Sequence, residues 1–160
     1  MTYPDPAYDG TGAVSASLRP AGTQPDLHYP SGVAVHHLAL GSTTRGNFGL
    51  YRWDFSPART GPDPHFHRTM SESFFILSGT VSLYDGRTWR GGLPGDYLYV
   101  PEGGIHGFRN ESGAAASMLL LFAPGAPREE YFDTLAHLAE HPMTDQERAD
   151  FMRRHDTHWL

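Results

Sequence analysis

The 160-residue chain contains no cysteine and no lysine. Without cysteine there is no disulfide scaffold, thiol nucleophile, iron–sulfur cluster or thiolate zinc site. All 12 basic residues are therefore arginine, which reads as codon usage of a GC-rich genome and not as mechanism. Long apolar runs are missing too: the longest, Ala114 to Ala123, is broken by Ser117 and reaches only about half a membrane span. The first residues, Met1-Thr2-Tyr3-Pro4-Asp5-Pro6, show neither the basic nor the apolar part of a secretory signal. Positive charge is in deficit, and a net charge of -6 disfavours nucleic acid or an anionic membrane as a partner. The expectation is a soluble, cytoplasmic protein.

What is plentiful points to a β fold. Aromatics make up 12%, enough apolar area to fold most of the chain, and Gly 18 with Pro 13 suits many short strands joined by tight turns. Ten histidines supply an unusual number of imidazoles, the side chains transition metals bind most often.

Three regions are expected: an arm over 1–32, a β-barrel over 33–126 and a helical segment over 127–160. The arm is rich in Pro, Gly, Ser and Thr, but Val14, Leu18, Leu27 and Tyr29 are apolar enough to cover a sheet edge or reach a second copy. In the middle region, Val33–Leu40 and Phe48–Phe55 read as strands, with Tyr51, Trp53 and Phe55 sharing a face at period two. Ser73–Leu77 reads as a strand buried on both faces, and Asp85-Gly86 as a two-residue hairpin turn between Val81–Tyr84 and Thr88–Arg90. Tyr97–Val100, Ile105–Arg109 and Ser117–Phe122 complete the series. After Pro127 the period changes. Glu129 and Glu130 open a helix running to about Glu140, and Thr144 with Glu147 forms a capping box for a second helix ending near Arg154.

The residues with chemistry fall in two clusters. In His65-Phe66-His67 the histidines share one face of a strand, and four residues later comes Glu72. A hairpin loop over 68–71 would set His67 and Glu72 opposite each other, with Cβ atoms roughly 5 Å apart. Two imidazoles and one carboxylate then converge as iron, manganese, nickel or zinc accept them. The second cluster runs from Gly95 through Pro101 and Gly103 to His106 and Asn110; its turn delivers His106 as a possible fourth ligand. His36 and His37 are adjacent, so they face opposite ways and cannot chelate as a pair; they read as structural, unless one lines the pocket. His28, His137, His141, His155 and His158 read as solvent-facing, and Arg148, Arg153 and Arg154 as a solvated helix face. Phe74, Ile76 and Phe108 share strand parity with Glu72 and His106, so they line either the cavity or the ordinary core.

His65, His67, Glu72, Gly79, Gly95, Pro101, Gly103, His106 and Asn110 together resemble the two motifs of the cupin superfamily, over about residues 45–123. One position departs: where the family has a leading glycine stands Arg59, with Gly61 nearby. The resemblance implies an all-β, double-stranded β-helix (jelly-roll) barrel with short C-terminal helices. It also implies one divalent transition metal (Fe, Ni, Mn or Zn) held by His65, His67, Glu72 and His106. The short spacer and the Glu130-Tyr131-Phe132 segment are similar to quercetin dioxygenase-like cupins. For those, Glu72 would be the catalytic base accepting a hydroxyl proton from a small aromatic or dicarbonyl substrate that is then oxygenated. Similar small cupins act instead as Lewis-acid cyclases or isomerases of polyketide-type metabolism, or as metal-dependent binding modules without catalysis. The same resemblance implies a homodimer. No helix-turn-helix accompanies the barrel motifs.

Overall fold

Strand-forming residues dominate the centre of the chain because they alternate. In the computed structural model, which describes residues 2–160, β3 (Gly49–Phe55) and β10 (Ala116–Ala123) bury every second side chain. Tyr51, Trp53 and Phe55 meet Met118, Leu120 and Phe122 on the inner face of one sheet. That sheet has the order β1-β2-β3-β10-β5-β8 and is antiparallel throughout; the other strands are β1 (Leu27–His28), β2 (Ala34–Ala39), β5 (Ser71–Ser78) and β8 (Tyr97–Val100). A smaller sheet, β7-β6-β9, is formed by β6 (Val81–Tyr84), β7 (Trp89–Gly92) and β9 (Gly107–Arg109). Single bridges, Thr60 to Asn110 and His65 to His106, tie the chain around β4 (His65–Phe66) to the chain around β9. Val81, Leu83 and Phe108 from the smaller sheet complete a core shared with Phe74 and Ile76. The result is an all-β double-stranded β-helix with two short helices.

Several expectations need correction. The main sheet begins at Leu27, inside the expected arm, because Leu27 pairs with Val35 across a turn in which the Tyr29 N–H donates to the Val33 carbonyl. Upstream, Val14 and Leu18 stand in the open; Met1 of the arm lies outside the described residues. β5 is not buried on both faces: Phe75 and Leu77, on the outer side of the sheet, are each 40% exposed among the described residues. The hairpin after β6 has four loop residues, because Tyr84 pairs with Trp89. Asp85 closes it by accepting from the N–H groups of Arg87 and Thr88, a side-chain turn that the Asp-Gly reading missed.

Helix α1 (Glu129–Ala136) is shorter than expected and dissolves into turns after His137, while α2 (Asp145–Arg154) carries the expected capping box. α1 lays Phe132 against Tyr51 and Trp53, with ring centroids 5.2 and 5.1 Å apart, and so closes one mouth of the barrel. Beyond α2 a final strand, β11 (His158–Trp159), returns to pair with β4, which no local pattern announces. No helix among the described residues is long and apolar enough to cross a membrane.

Gly79 shows what one motif glycine does. It sits at φ +70, and a Cβ there would meet the Ala115 carbonyl oxygen at 2.5 Å and the Ala116 Cα at 2.8 Å. Gly79→Ala is expected to lose about 1–3 kcal/mol from left-handed strain plus the clash, read as a lower urea midpoint at unchanged slope. A midpoint equal to that of the parent would show that the β5–β6 turn relaxes freely.

Candidate metal centre

Four side chains from four places in the fold converge in the barrel. His65 comes from β4, His67 from the loop after it, Glu72 from β5 and His106 from the segment leading into β9; one ligand atom from each lies within 4.8 Å of all the others, and all four residues are buried. His65 and His106 are locked together by reciprocal backbone hydrogen bonds of 2.9 Å. The Gly103 N–H donates to the His67 carbonyl at 2.6 Å, which explains why the second cluster needs its turn before His106. Asn110 is fully buried and donates to the carbonyls of Ser56 and Ala114, so its role is to hold loops.

The expected hairpin geometry is not what brings His67 to Glu72. β4 pairs with β11 and bridges to His106, whereas β5 pairs with β8 and β10. The 68–70 loop carries the chain from one sheet to the other, so the ligands meet across the barrel interior.

The hydrogen bonds decide which ring nitrogens face inward. The Nδ1 atoms contact backbone carbonyls: His65 to Asp63 at 2.9 Å, His67 to Asp156 at 2.5 Å and His106 to Gly104 at 2.9 Å. A carbonyl has no proton to give, so each Nδ1–H donates, and in the neutral ring each Nε2 keeps its lone pair toward the centre. There the Nε2 atoms of His67 and His106 lie 3.1 and 2.8 Å from Glu72 Oε2. With neutral rings these are lone pairs facing a carboxylate, an arrangement that needs a cation or an extra proton. Burial pushes His65 down to about 3, with His106 adding to it, so that ring stays neutral. Burial alone would raise Glu72, but His106 and His67 outweigh it and hold the carboxyl well below the usual range. His106 shows the converse: burial lowers it, and the Glu72 carboxylate more than compensates. Three imidazoles of fixed tautomer and an ionised carboxylate fit a divalent transition metal, and His65, His67, Glu72 and His106 would hold it.

A cavity of about 250 Å³ opens beside this centre, bordered by His65 and Glu72. Its walls include Trp53, Phe108, Phe122, Tyr131, Phe132 and Trp159. Of the three pocket candidates, Phe108 borders it. Phe74 lies behind, 5.9 Å from the His106 ring, and Ile76 belongs to the closed core.

The other histidines are placed as follows. His36 sits on the outer face among Arg52 and Asp54, and His37 packs edge-on against Tyr51; neither borders the cavity. His28, His137 and His141 are exposed. His155 and His158 are not solvent-facing as expected: His155 packs on Phe151 and Tyr131, and His158 stacks on Phe66. These contacts leave both residues half-buried. Arg148, Arg153 and Arg154 are exposed as expected; Arg148 also borders the cavity, Arg153 pairs with Asp150 and Arg154 leans over Phe151.

Sequence reasoning missed three residues at the site. Trp159 lies over His65 with ring centroids 5.1 Å apart. Asp156 grips the ligand loop, accepting from the N–H groups of Arg68 and Thr69 and from the Thr69 hydroxyl. Arg128 is buried at the cavity wall. The one available signal was the polar crowding of His155, Asp156 and His158 so close to a C-terminal tryptophan.

Residues 51–122, which contain all four candidate ligands, match the family described as "Cupin domain". The fold is that of a cupin. An uncharacterized protein of Aquifex aeolicus (strain VF5) is 30% identical over 66 residues, covering 41% of this chain and 54% of that one. The chain thus spans about half the length of that curated relative. Among solved structures, a predicted oxalate decarboxylase from Thermotoga maritima superposes with a TM-score of 0.60 at 17% identity, over 68% of this chain and 99% of the other. The polyketide cyclase RemF from Streptomyces resistomycificus gives 0.54 at 21% identity, over 68% and 78%. At such identities the likeness shows the cupin fold alone, and the fold hosts several chemistries.

Proposed function

We propose that this cupin is a metal-dependent enzyme acting on a small aromatic or enol/dicarbonyl substrate, with oxygenation as its reaction class. One observation carries the reading: the buried three-histidine, one-glutamate centre opens through His65 and Glu72 onto an aromatic-walled cavity. A bound metal would supply Lewis acidity, making a substrate hydroxyl more acidic. His65, His67 and His106 present neutral Nε2 atoms to it. Glu72 accepts the hydroxyl proton at its carboxylate, and the aromatic walls stack a flat ring while excluding water. The volume is small for a drug-sized ligand, which favours one-ring substrates over a three-ring flavonol. The quercetinase-like form of the reading is thereby the narrower option.

A second reading, a Lewis-acid cyclase or isomerase, uses the same centre and cavity without dioxygen, and the RemF fold likeness is compatible with it. A homodimer is part of the proposal, supported by the exposed Val14 and Leu18 of the arm and the exposed Phe75 and Leu77 of β5. Metal analysis of protein purified without added metal, then oxygen-electrode assays with 1,3-diketones, phenolic acids and flavonols, tests the reading. The oxygenase consumes dioxygen and forms product; the cyclase forms product without uptake; a binding module binds and does neither. Equal metal content in the parent and in a His65→Ala, His67→Ala double variant would remove the centre from the argument.

A further inference from the structure

Arg128 is 3% exposed, yet it takes part in no ion pair among the described residues. Its neighbour Glu129 is engaged by the Tyr51 hydroxyl at 2.7 Å. The guanidinium lies 3.9 Å over the Tyr131 ring and within 5.4 Å of the Phe122 and Phe132 ring centres. Its Nη1 donates to the His155 carbonyl at 2.6 Å and reaches the Thr157 hydroxyl at 3.4 Å, while Nη2 has only a 3.5 Å contact with that same hydroxyl. Nε is buried with no partner. The donors thus divide: Nη1 is fixed to the C-terminal segment, and the Nε–Nη2 edge is nearly unused. That edge is the side-on fork that pairs with a carboxylate through two parallel hydrogen bonds.

A buried cation with no direct ion-pair partner is costly: burial lowers the Arg128 pKa, and Tyr131 and the Glu72 carboxylate offset that only in part. Glu72 borders the same cavity but is spent on His67 and His106. A direct anionic partner for Arg128 can come from what fills the cavity that Arg128 borders. We propose that Arg128 is the specificity-determining residue of this site and that it receives a carboxylate, so that the substrates are small, flat, unsaturated acids. The inference rests on the cavity being the substrate site proposed above. Such a ligand sets its ring among Trp53, Phe108 and Phe132 with its carboxylate on Arg128.

The test compares cinnamate with cinnamamide, which have nearly the same shape but differ in charge, by calorimetric titration of zinc-loaded and chelator-treated full-length protein. The parent is expected to bind cinnamate about 10- to 100-fold more tightly in both states, the usual worth of charge-assisted pairing. Arg128→Gln should bring that ratio close to one, and Arg128→Lys, which keeps the charge without the fork, should lower it severalfold. If Arg128→Gln fails to fold by circular dichroism, the Arg128→Lys ratio decides alone. A preference equal in parent and variant overturns the proposal. So does a preference that vanishes on chelation, which would assign the carboxylate to the metal, and so does binding of neither probe. Because the deciding comparison is made without metal, it is separate from the functional reading. A protein that takes up no metal but shows the Arg128-dependent preference would sink the enzyme and keep the anion site.

Discussion

Glu72→Gln is expected to retain the three histidine ligands and much of the bound metal, yet to lose about 10²–10⁴-fold in turnover, the usual worth of a positioned general base. The amide keeps the shape of the side chain and a weak oxygen donor but cannot take up a proton. In the parent the carboxyl is held ionised: burial opposes its charge, and a proton on a ring nitrogen of His106 or His67, 2.8 and 3.1 Å away, overrides that opposition, a role that a bound cation would take over with neutral rings. Oε2 faces those two rings, so the proton of a substrate hydroxyl has to go to the carboxylate's other oxygen, or to Oε2 once it loosens. Oxygen uptake by parent and Glu72→Gln at matched metal content separates the readings. The oxygenase loses uptake, the cyclase loses rate with no uptake in either protein, and a binding module loses affinity only as far as metal content falls. Equal, non-zero uptake by the two proteins would show that Glu72 is a ligand and that the base lies elsewhere.

The features legible in the sequence were those with local periodicity or fixed spacing. Tyr51, Trp53 and Phe55 could be set on one face because a strand repeats every two residues, and the structure buries all three. His65, His67, Glu72 and His106 stood out because the ligand types came in spaced clusters, and these are the residues the barrel brings together. Their supposed route, a hairpin ladder, was wrong, since sequence spacing says nothing of which strand crosses to the second sheet. Phe75 and Leu77 look like core residues in any window; only the bare outer side of β5 makes them surface. Arg128, Asp156 and Trp159 were missed for a related reason. Asp156 reaches His67 across 89 residues, and no local pattern encodes which distant segment will cover a barrel mouth.

Asp156→Ala is expected to weaken metal binding about 10- to 100-fold, the usual cost of removing a partner that orients ligands. The carboxylate lies 2.8 Å from the Thr69 N–H, 2.7 Å from the Thr69 hydroxyl and 3.0 Å from the Arg68 N–H, so it fixes the loop that carries His67. The carbonyl of the same residue accepts from His67 Nδ1 and sets that ring's tautomer. Asp156 does this from a left-handed backbone, φ 51, which aspartate and asparagine tolerate better than alanine. Its pKa is lowered, because the donors from Thr69 and Arg68 outweigh the burial that would raise it, so the grip is fully present near neutral pH and is lost as pH falls through the folded value. Three substitutions separate charge from backbone strain. Asp156→Asn keeps the tolerated conformation and one acceptor oxygen, and should lose least. Asp156→Gly relieves the backbone but removes the carboxylate, and Asp156→Ala removes the carboxylate and adds strain. Deleting 156–160 takes away the His67 carbonyl partner, the β4–β11 pairing and the Trp159 cover together, and should lose most. Competition with a chromophoric zinc chelator measures each loss. If Asp156→Gly holds metal as tightly as the parent, the carboxylate does not position His67, and the C-terminus covers the barrel without serving the metal.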